Sequence, residues 1–271
     1  MNKTQTGLEA ITQTFATARA ENRAAFLPFF TIGYPDLPTS IAIIEALVEA
    51  GADAIEVGVP FSDPVAEGPT IQRSSQVSLE NGTRVIDCIE AVRTLRERGV
   101  TVPLILMGYI NPMLAYGLER FVHDAAEVGA SGFIVPDLPP EEAEELAGLA
   151  EQNGLALIPL LAPTSTPDRI RQVLTGARGF VYLVAVTGVT GARTALPTDL
   201  TDYVRRVRSL TTLPLAVGFG ISQPDHVRMV AGIADGVLVG SALVRLGETG
   251  GVDAVRDLAS RLRAACAEKG S

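Results

Sequence analysis

Short apolar runs rich in β-branched and aromatic residues recur along the chain, separated by longer stretches of helical spacing. The apolar runs are Phe26–Ile32, Ala54–Val59, Leu104–Met107, Gly132–Val135, Ala156–Leu161, Phe180–Val184, Pro214–Val217 and Gly236–Val239. They are continuous rather than alternating, the signature of parallel strands covered on both faces. Between them, Ile41–Ala50 places Ile41, Ile44, Leu47 and Val48 on one face. Helical patterns also cover Val85–Arg98, Met113–Val128, Glu141–Asn153, Pro167–Leu174, Thr198–Leu210 and Asp225–Ala231, and Val252–Cys266 closes the chain. Gly51, Gly99, Gly129 and Gly154 follow helical stretches, where glycine commonly terminates a helix.

Strands alternating with helices predict either an open doubly wound sheet or a closed (β/α)₈ barrel. The open sheet usually carries a glycine-rich fingerprint after its first strand. Here that strand runs into Thr31-Ile32-Gly33-Tyr34-Pro35, which does not match, and the barrel is the expectation. The 271 residues suit one such domain, residues 1–271, because the fold typically takes about 250. An extra N-terminal helix, Leu8–Arg19, is expected to cover the barrel floor.

Composition removes several functions. A net charge of −9 disfavours nucleic acid and anionic membranes as partners. No stretch approaches the roughly 18 apolar residues of a membrane span, and the N-terminus lacks a signal-peptide pattern, so a cytoplasmic protein is expected. Cys88 and Cys266 are too few for a disulfide framework, and Cys88 is expected in the core. Lys3 and Lys269 are the only lysines and lie in the tails, poor positions for a Schiff base. His123 and His226 fall in helices and, with the cysteines, show no zinc-ligand spacing. The chemistry is therefore expected to use neither a lysine nor zinc, and no cofactor is expected.

In (β/α)₈ enzymes the chemistry sits on loops after the strands' C-terminal ends. Three such loops are rich in glycine: Val186-Thr187-Gly188-Val189-Thr190-Gly191, Gly218-Phe219-Gly220-Ile221-Ser222 and Gly240-Ser241-Ala242-Leu243, the last opening a short helix. Backbone N–H groups and a helix start suit a phosphate there. Strand two carries Glu56 inside an apolar run; a carboxylate aimed into the barrel would lose hydration, gain pKa and serve as a proton donor. Facing outward, it would instead pair with an arginine. The loop Phe61–Gln72 adds Glu67, a second carboxylate for the same mouth, and Asp63, which suits a turn as well as a function.

These segments resemble the tryptophan synthase alpha-subunit family. The resemblance runs through Pro28-Phe29, Glu56-Val57-Gly58-Val59-Pro60-Phe61-Ser62-Asp63-Pro64, Gly68-Pro69-Thr70-Ile71-Gln72, Pro136-Asp137-Leu138-Pro139, Gly188-Val189-Thr190-Gly191 and Gly218-Phe219-Gly220-Ile221, in order over essentially the whole chain. It implies retro-aldol cleavage of indole-3-glycerol phosphate to indole and glyceraldehyde 3-phosphate, with Glu56 and Glu67 catalytic. It further implies that Phe29, Met107, Tyr182, Thr190 and Phe219 bind the substrate, and that Gly191, Gly220, Gly240 and Ser241 hold the phosphate. Thr187–Pro197 is expected to act as a lid, with Arg193 facing either the phosphate or solvent. The implied partner is a β subunit in an α2β2 assembly, met through the acidic loop around Asp63 and Pro64.

One residue departs from the family pattern: Glu67 occupies a position that is normally aspartate. The extra methylene moves the carboxylate by roughly a bond length, and about 1 Å of misplacement can cost on the order of 100-fold in rate. The loop is expected to compensate. The alternatives are a stand-alone lyase that releases indole, a phosphosugar isomerase or epimerase on the same fold, and a subunit that only activates its partner.

Overall fold

The structure is a computed structural model, and it describes residues 5–185, 199–218 and 220–267. Its strands are β1 (Ala25–Thr31), β2 (Ile55–Gly58), β3 (Leu104–Met107), β4 (Gly132–Ile134), β5 (Ala156–Ile158), β6 (Leu160–Leu161), β7 (Val181–Val184), β8 (Leu215–Gly218) and β9 (Gly236–Val239). They form one parallel sheet in the order β5-β4-β3-β2-β1-β9-β8-β7-β6. The two outermost members are consecutive in the chain. The fifth apolar run is therefore a single barrel strand interrupted at Pro159, which has no N–H for the ladder. Its carbonyl still accepts the Tyr182 N–H at 2.9 Å. With β5 paired to β4 and β6 to β7, the circle closes into the expected (β/α)₈ barrel.

The barrel floor is sealed by α1 (Gly7–Ala20), which begins with a capping box between Thr6 and Glu9. Phe15 meets Phe180 just before β7, with ring centroids 5.2 Å apart. The Leu8 N–H donates to Gly154 O just before β5, at 3.0 Å. Two aspartates tie the floor together in the same manner. Asp53, just before β2, accepts the Phe26 N–H at 2.8 Å while its own N–H donates to Phe26 O. Asp235, just before β9, does the same with Leu215. Asp53 also receives both terminal nitrogens of the buried Arg23, at 2.7 and 2.8 Å. Asp235 pairs with Arg208.

The outer layer follows the pattern in most places: α2 (Leu37–Glu49), α4 (Val85–Glu97), α7 (Glu144–Gln152), α8 (Pro167–Leu174), α9 (Leu200–Arg208), α10 (Pro224–Ala231) and α12 (Gly251–Ala265). His123 is exposed on this layer, whereas His226 is buried in α10. Two elements differ from expectation. The stretch Met113–Val128 is two helices, α5 (Ile110–Tyr116) and α6 (Leu118–Glu127), divided by Gly117 at φ +97°. Directly after the acidic loop comes an unanticipated helix, α3 (Pro69–Glu80). Its inner face carries Ile71 and then three buried serines, Ser74, Ser75 and Ser78, in place of a full apolar stripe. Ser74 shares a hydrogen with Thr31 at 2.7 Å, and Ser78 donates to Ile32 O at 2.6 Å. A helix satisfied by hydroxyls shows no hydrophobic period.

Cys88 and Cys266 are both buried free thiols. Among the described residues, no helix is long and apolar enough to cross a membrane.

Candidate active site

A cleft opens at the C-terminal ends of the strands. Phe29 of β1, Glu56 of β2, Met107 of β3 and Tyr182 of β7 form its wall, and Glu67 enters from the loop before α3. Gly220 after β8, with Gly240 and Ser241 at the start of α11 (Ser241–Thr249), forms its other end. All the site residues expected from the sequence that lie among the described residues thus converge on one cleft. Thr190, Gly191, Phe219 and Arg193, with the lid stretch expected over Thr187–Pro197, lie outside the described residues.

Glu56 is placed by strand alternation. Ile55 and Val57 take the opposite face of β2, so Glu56 points into the barrel, level with Phe29 on β1 and Ile105 on β3. It lines the cleft and, among the described residues, forms no ion pair with an arginine, so it faces inward. Its side chain is 2% exposed, and Oε1 has no hydrogen-bond partner among the described residues. Burial, and then the charge of nearby Glu67, hold its pKa well above the ordinary carboxylate value. Both effects favour the protonated form of the Glu56 carboxyl.

Glu67 reaches the same space by a different route. The loop that carries it is exposed from Ser62 to Ala66 apart from Pro64, with Val65 77% exposed. Asp63 is exposed on it and accepts from the Ser62 hydroxyl at 2.5 Å. The chain then turns inward. The Ala66 N–H donates to the Tyr109 hydroxyl at 3.0 Å, Tyr109 stacks on Phe61 with centroids 5.2 Å apart, and Gln72 Nε2 donates to Glu67 O at 2.9 Å. So held, Glu67 is 7% exposed, and burial pushes its carboxyl up to about 7. Despite the added methylene, its charge is close enough to act on both Glu56 and Tyr182. Burial and these two carboxylates keep the Tyr182 phenol neutral.

Two glycines make room for the rings of the wall. A Cβ on Gly58 would lie 2.5 Å from Phe29 Cζ, and one on Gly218 would lie 2.4 Å from the Tyr182 hydroxyl oxygen. In the sequence both are merely parts of motifs, because their role depends on a neighbouring strand. Tyr109 is also missed, although its place just past the end of β3 is the strand-end signal that could have found it.

Fold and cleft define a class: a (β/α)₈ barrel whose C-terminal mouth joins two buried carboxylates to a glycine-lined helix start. The comparisons narrow it. The family described as "Tryptophan synthase alpha chain" matches residues 15–269. A Chloroflexus aggregans protein of that description is 52% identical over 237 residues, 88% of this chain and 89% of its own. Mycobacterium tuberculosis tryptophan synthase superposes with a TM-score of 0.89 at 40% identity, covering 96% of this chain and 98% of that one. A Legionella pneumophila tryptophan synthase alpha chain gives 0.88 at 34% identity, covering 97% and 98%. The chain belongs to the tryptophan synthase alpha chain family.

Proposed function

We propose that the chain cleaves indole-3-glycerol phosphate to indole and glyceraldehyde 3-phosphate, as the alpha subunit of tryptophan synthase in tryptophan biosynthesis. The observation that carries this reading is the buried Glu56 carboxyl, unpartnered at Oε1 and facing a cleft shared with Glu67.

Glu56 donates its proton to indole C3, and positive charge develops across C2 and N1. The N1–H is held by the Glu67 carboxylate, which is substantially ionised near neutral pH because its pKa is about 7. Glu56, now anionic, takes the proton of the glycerol hydroxyl next to C3. The C–C bond breaks toward the ring: its electron pair restores the indole double bond, and the hydroxyl carbon becomes the aldehyde. The net change moves one proton from oxygen to carbon, so Glu56 ends as it began. Different environments divide the roles between the carboxylates, with the deeper group supplying the acid. The substrate's own ring accepts the electrons, so the step uses neither lysine nor metal.

Phe29, Met107 and Tyr182, with Thr190 and Phe219, are assigned to the indole. Gly220, Gly240 and Ser241, with Gly191, are assigned to the phosphate. The partner proposed is the β subunit of tryptophan synthase, in an α2β2 assembly, with the loop around Asp63 and Pro64 as the contact, where Asp63 and Val65 are exposed. Cytoplasmic residence belongs to the same proposal and is supported by two free thiols.

The test is formation of glyceraldehyde 3-phosphate from indole-3-glycerol phosphate by the purified chain, with and without a β subunit. Weak activity alone, a strong rise with partner and loss in Glu56→Gln are expected. High activity alone would identify a stand-alone lyase. No activity in a folded sample under either condition would sink the indole assignment. An isomerase or epimerase would instead resist inhibition by indole analogues.

A further inference from the structure

The glycine-lined end of the cleft also carries a cation that the sequence gives no reason to single out. Arg245 lies on α11, four residues beyond Ser241 and so on the same helix face. Helical side chains lean toward the N-terminus of their helix. The long Arg245 side chain therefore runs back toward Gly240 and Ser241, and it lines the same cleft as they do. Among the described residues it is the one arginine or lysine on that wall.

Arg245 is also the one arginine among the described residues whose side chain has neither an ion-pair nor a hydrogen-bond partner. The others are tied to carboxylates or carbonyls, as Arg73 is to Glu248 at 2.9 Å. That pair explains why Arg245 is left over. Glu248 lies three residues after Arg245 on α11, where it could neutralise it across one turn. It is engaged by Arg73 of α3 and by the Tyr34 hydroxyl, which together hold it below the ordinary carboxylate range. The acid of α11 is drawn away, and the base beside the cleft stays uncompensated.

The surroundings give that charge a use. The chain is acidic, at −9, and the cleft already holds Glu56 and Glu67. A phosphate monoester brings about −1.5 to −2 more at neutral pH. Backbone N–H groups orient such a group but carry only partial charge. We propose that Arg245 supplies the full counter-charge for the substrate's phosphate dianion and sets the preference for a phosphorylated over an unphosphorylated indole glycerol. This rests on the reading that the cleft accepts a phosphate ester.

The experiment compares the full chain with Arg245→Gln and Arg245→Lys, in the presence of the β subunit. It reads Kd for inorganic phosphate, KM and kcat for indole-3-glycerol phosphate, and the salt dependence of both constants. In Arg245→Gln, Kd and KM are expected to rise about tenfold, as for loss of one charge-assisted hydrogen bond, with kcat changed by less than about twofold. Arg245→Lys should recover part of the loss, because it keeps the charge without the planar fork. The gap between Gln and native should narrow as salt rises, since the group is exposed. A Gln variant with native Kd and KM, while the native chain cleaves the substrate, overturns this proposal and leaves the indole reading intact. A native chain that cleaves nothing, yet loses phosphate affinity in Arg245→Gln, overturns the indole reading and sustains the role of Arg245.

Discussion

Gly218→Ala tests whether β8 ends in glycine in order to seat the Tyr182 phenol. The new methyl would lie 2.4 Å from the hydroxyl oxygen, 2.8 Å from Cζ and 2.9 Å from Cε1. An ordinary contact needs roughly 3.5 Å, so the phenol must retreat by about 1 Å. Tyr182 is 4% exposed and stands on a central strand paired on both sides, so neither ring nor backbone moves freely. Overpacking of this kind costs about 1–3 kcal/mol. Since the ring lines the cleft beside Glu56, a displacement near 1 Å should also slow the reaction by roughly 10- to 100-fold. Urea unfolding and single-turnover cleavage of indole-3-glycerol phosphate measure the two effects separately. Adding Tyr182→Phe removes the nearest clashing atom, so the double variant should regain part of the stability that Gly218→Ala loses. Native stability and rate in Gly218→Ala, or strict additivity with Tyr182→Phe, would refute the argument.

Two further predictions concern charge. Glu67 has a pKa of about 7 when folded against 4.5 for the free group, so the folded state binds the extra proton in that window and stability falls as pH rises through it. Glu67→Gln should flatten that slope and be more stable than the native chain above pH 7, by about 3 kcal/mol, read from urea midpoints across pH. At the floor, Asp53→Ala would leave the buried Arg23 guanidinium with Glu21 as its carboxylate partner and the Phe26 N–H without its acceptor, lowering stability by about 1–3 kcal/mol in the same assay while leaving the activity of the folded fraction unchanged.

The barrel was legible because its strands are buried on both faces and announce themselves as uninterrupted apolar runs. The cleft was legible for a related reason: closing the barrel brings every strand's C-terminal end to one mouth, so Glu56 and Gly240, distant in sequence, share an address that the pattern already gives. The failures share a cause as well. Helix α3 escaped because, beyond Ile71, it meets the barrel through the hydroxyls of Ser74 and Ser78, which carry no apolar period. Gly117 divides two helices through its φ, and an isolated glycine in a periodic stretch does not disclose that. The break at Pro159 is visible as a residue but not as an event, since an apolar run continues on either side of it.

What periodicity misses in the cleft is relational, and this bears on how the Glu67 substitution is tolerated. Whether a glutamate can stand where aspartate is usual depends on where the loop is pinned, which the side chain alone does not decide. The loop is tied to Tyr109 at Ala66, one residue before Glu67, and to Gln72 at the Glu67 carbonyl. The backbone at this point is therefore held from both directions, and on that support the longer side chain ends buried in the cleft. The outcome is a carboxylate buried deeply enough to titrate near 7 and close enough to raise the pKa of Glu56. Those are the two electrical properties the proposed division of acid and anion requires.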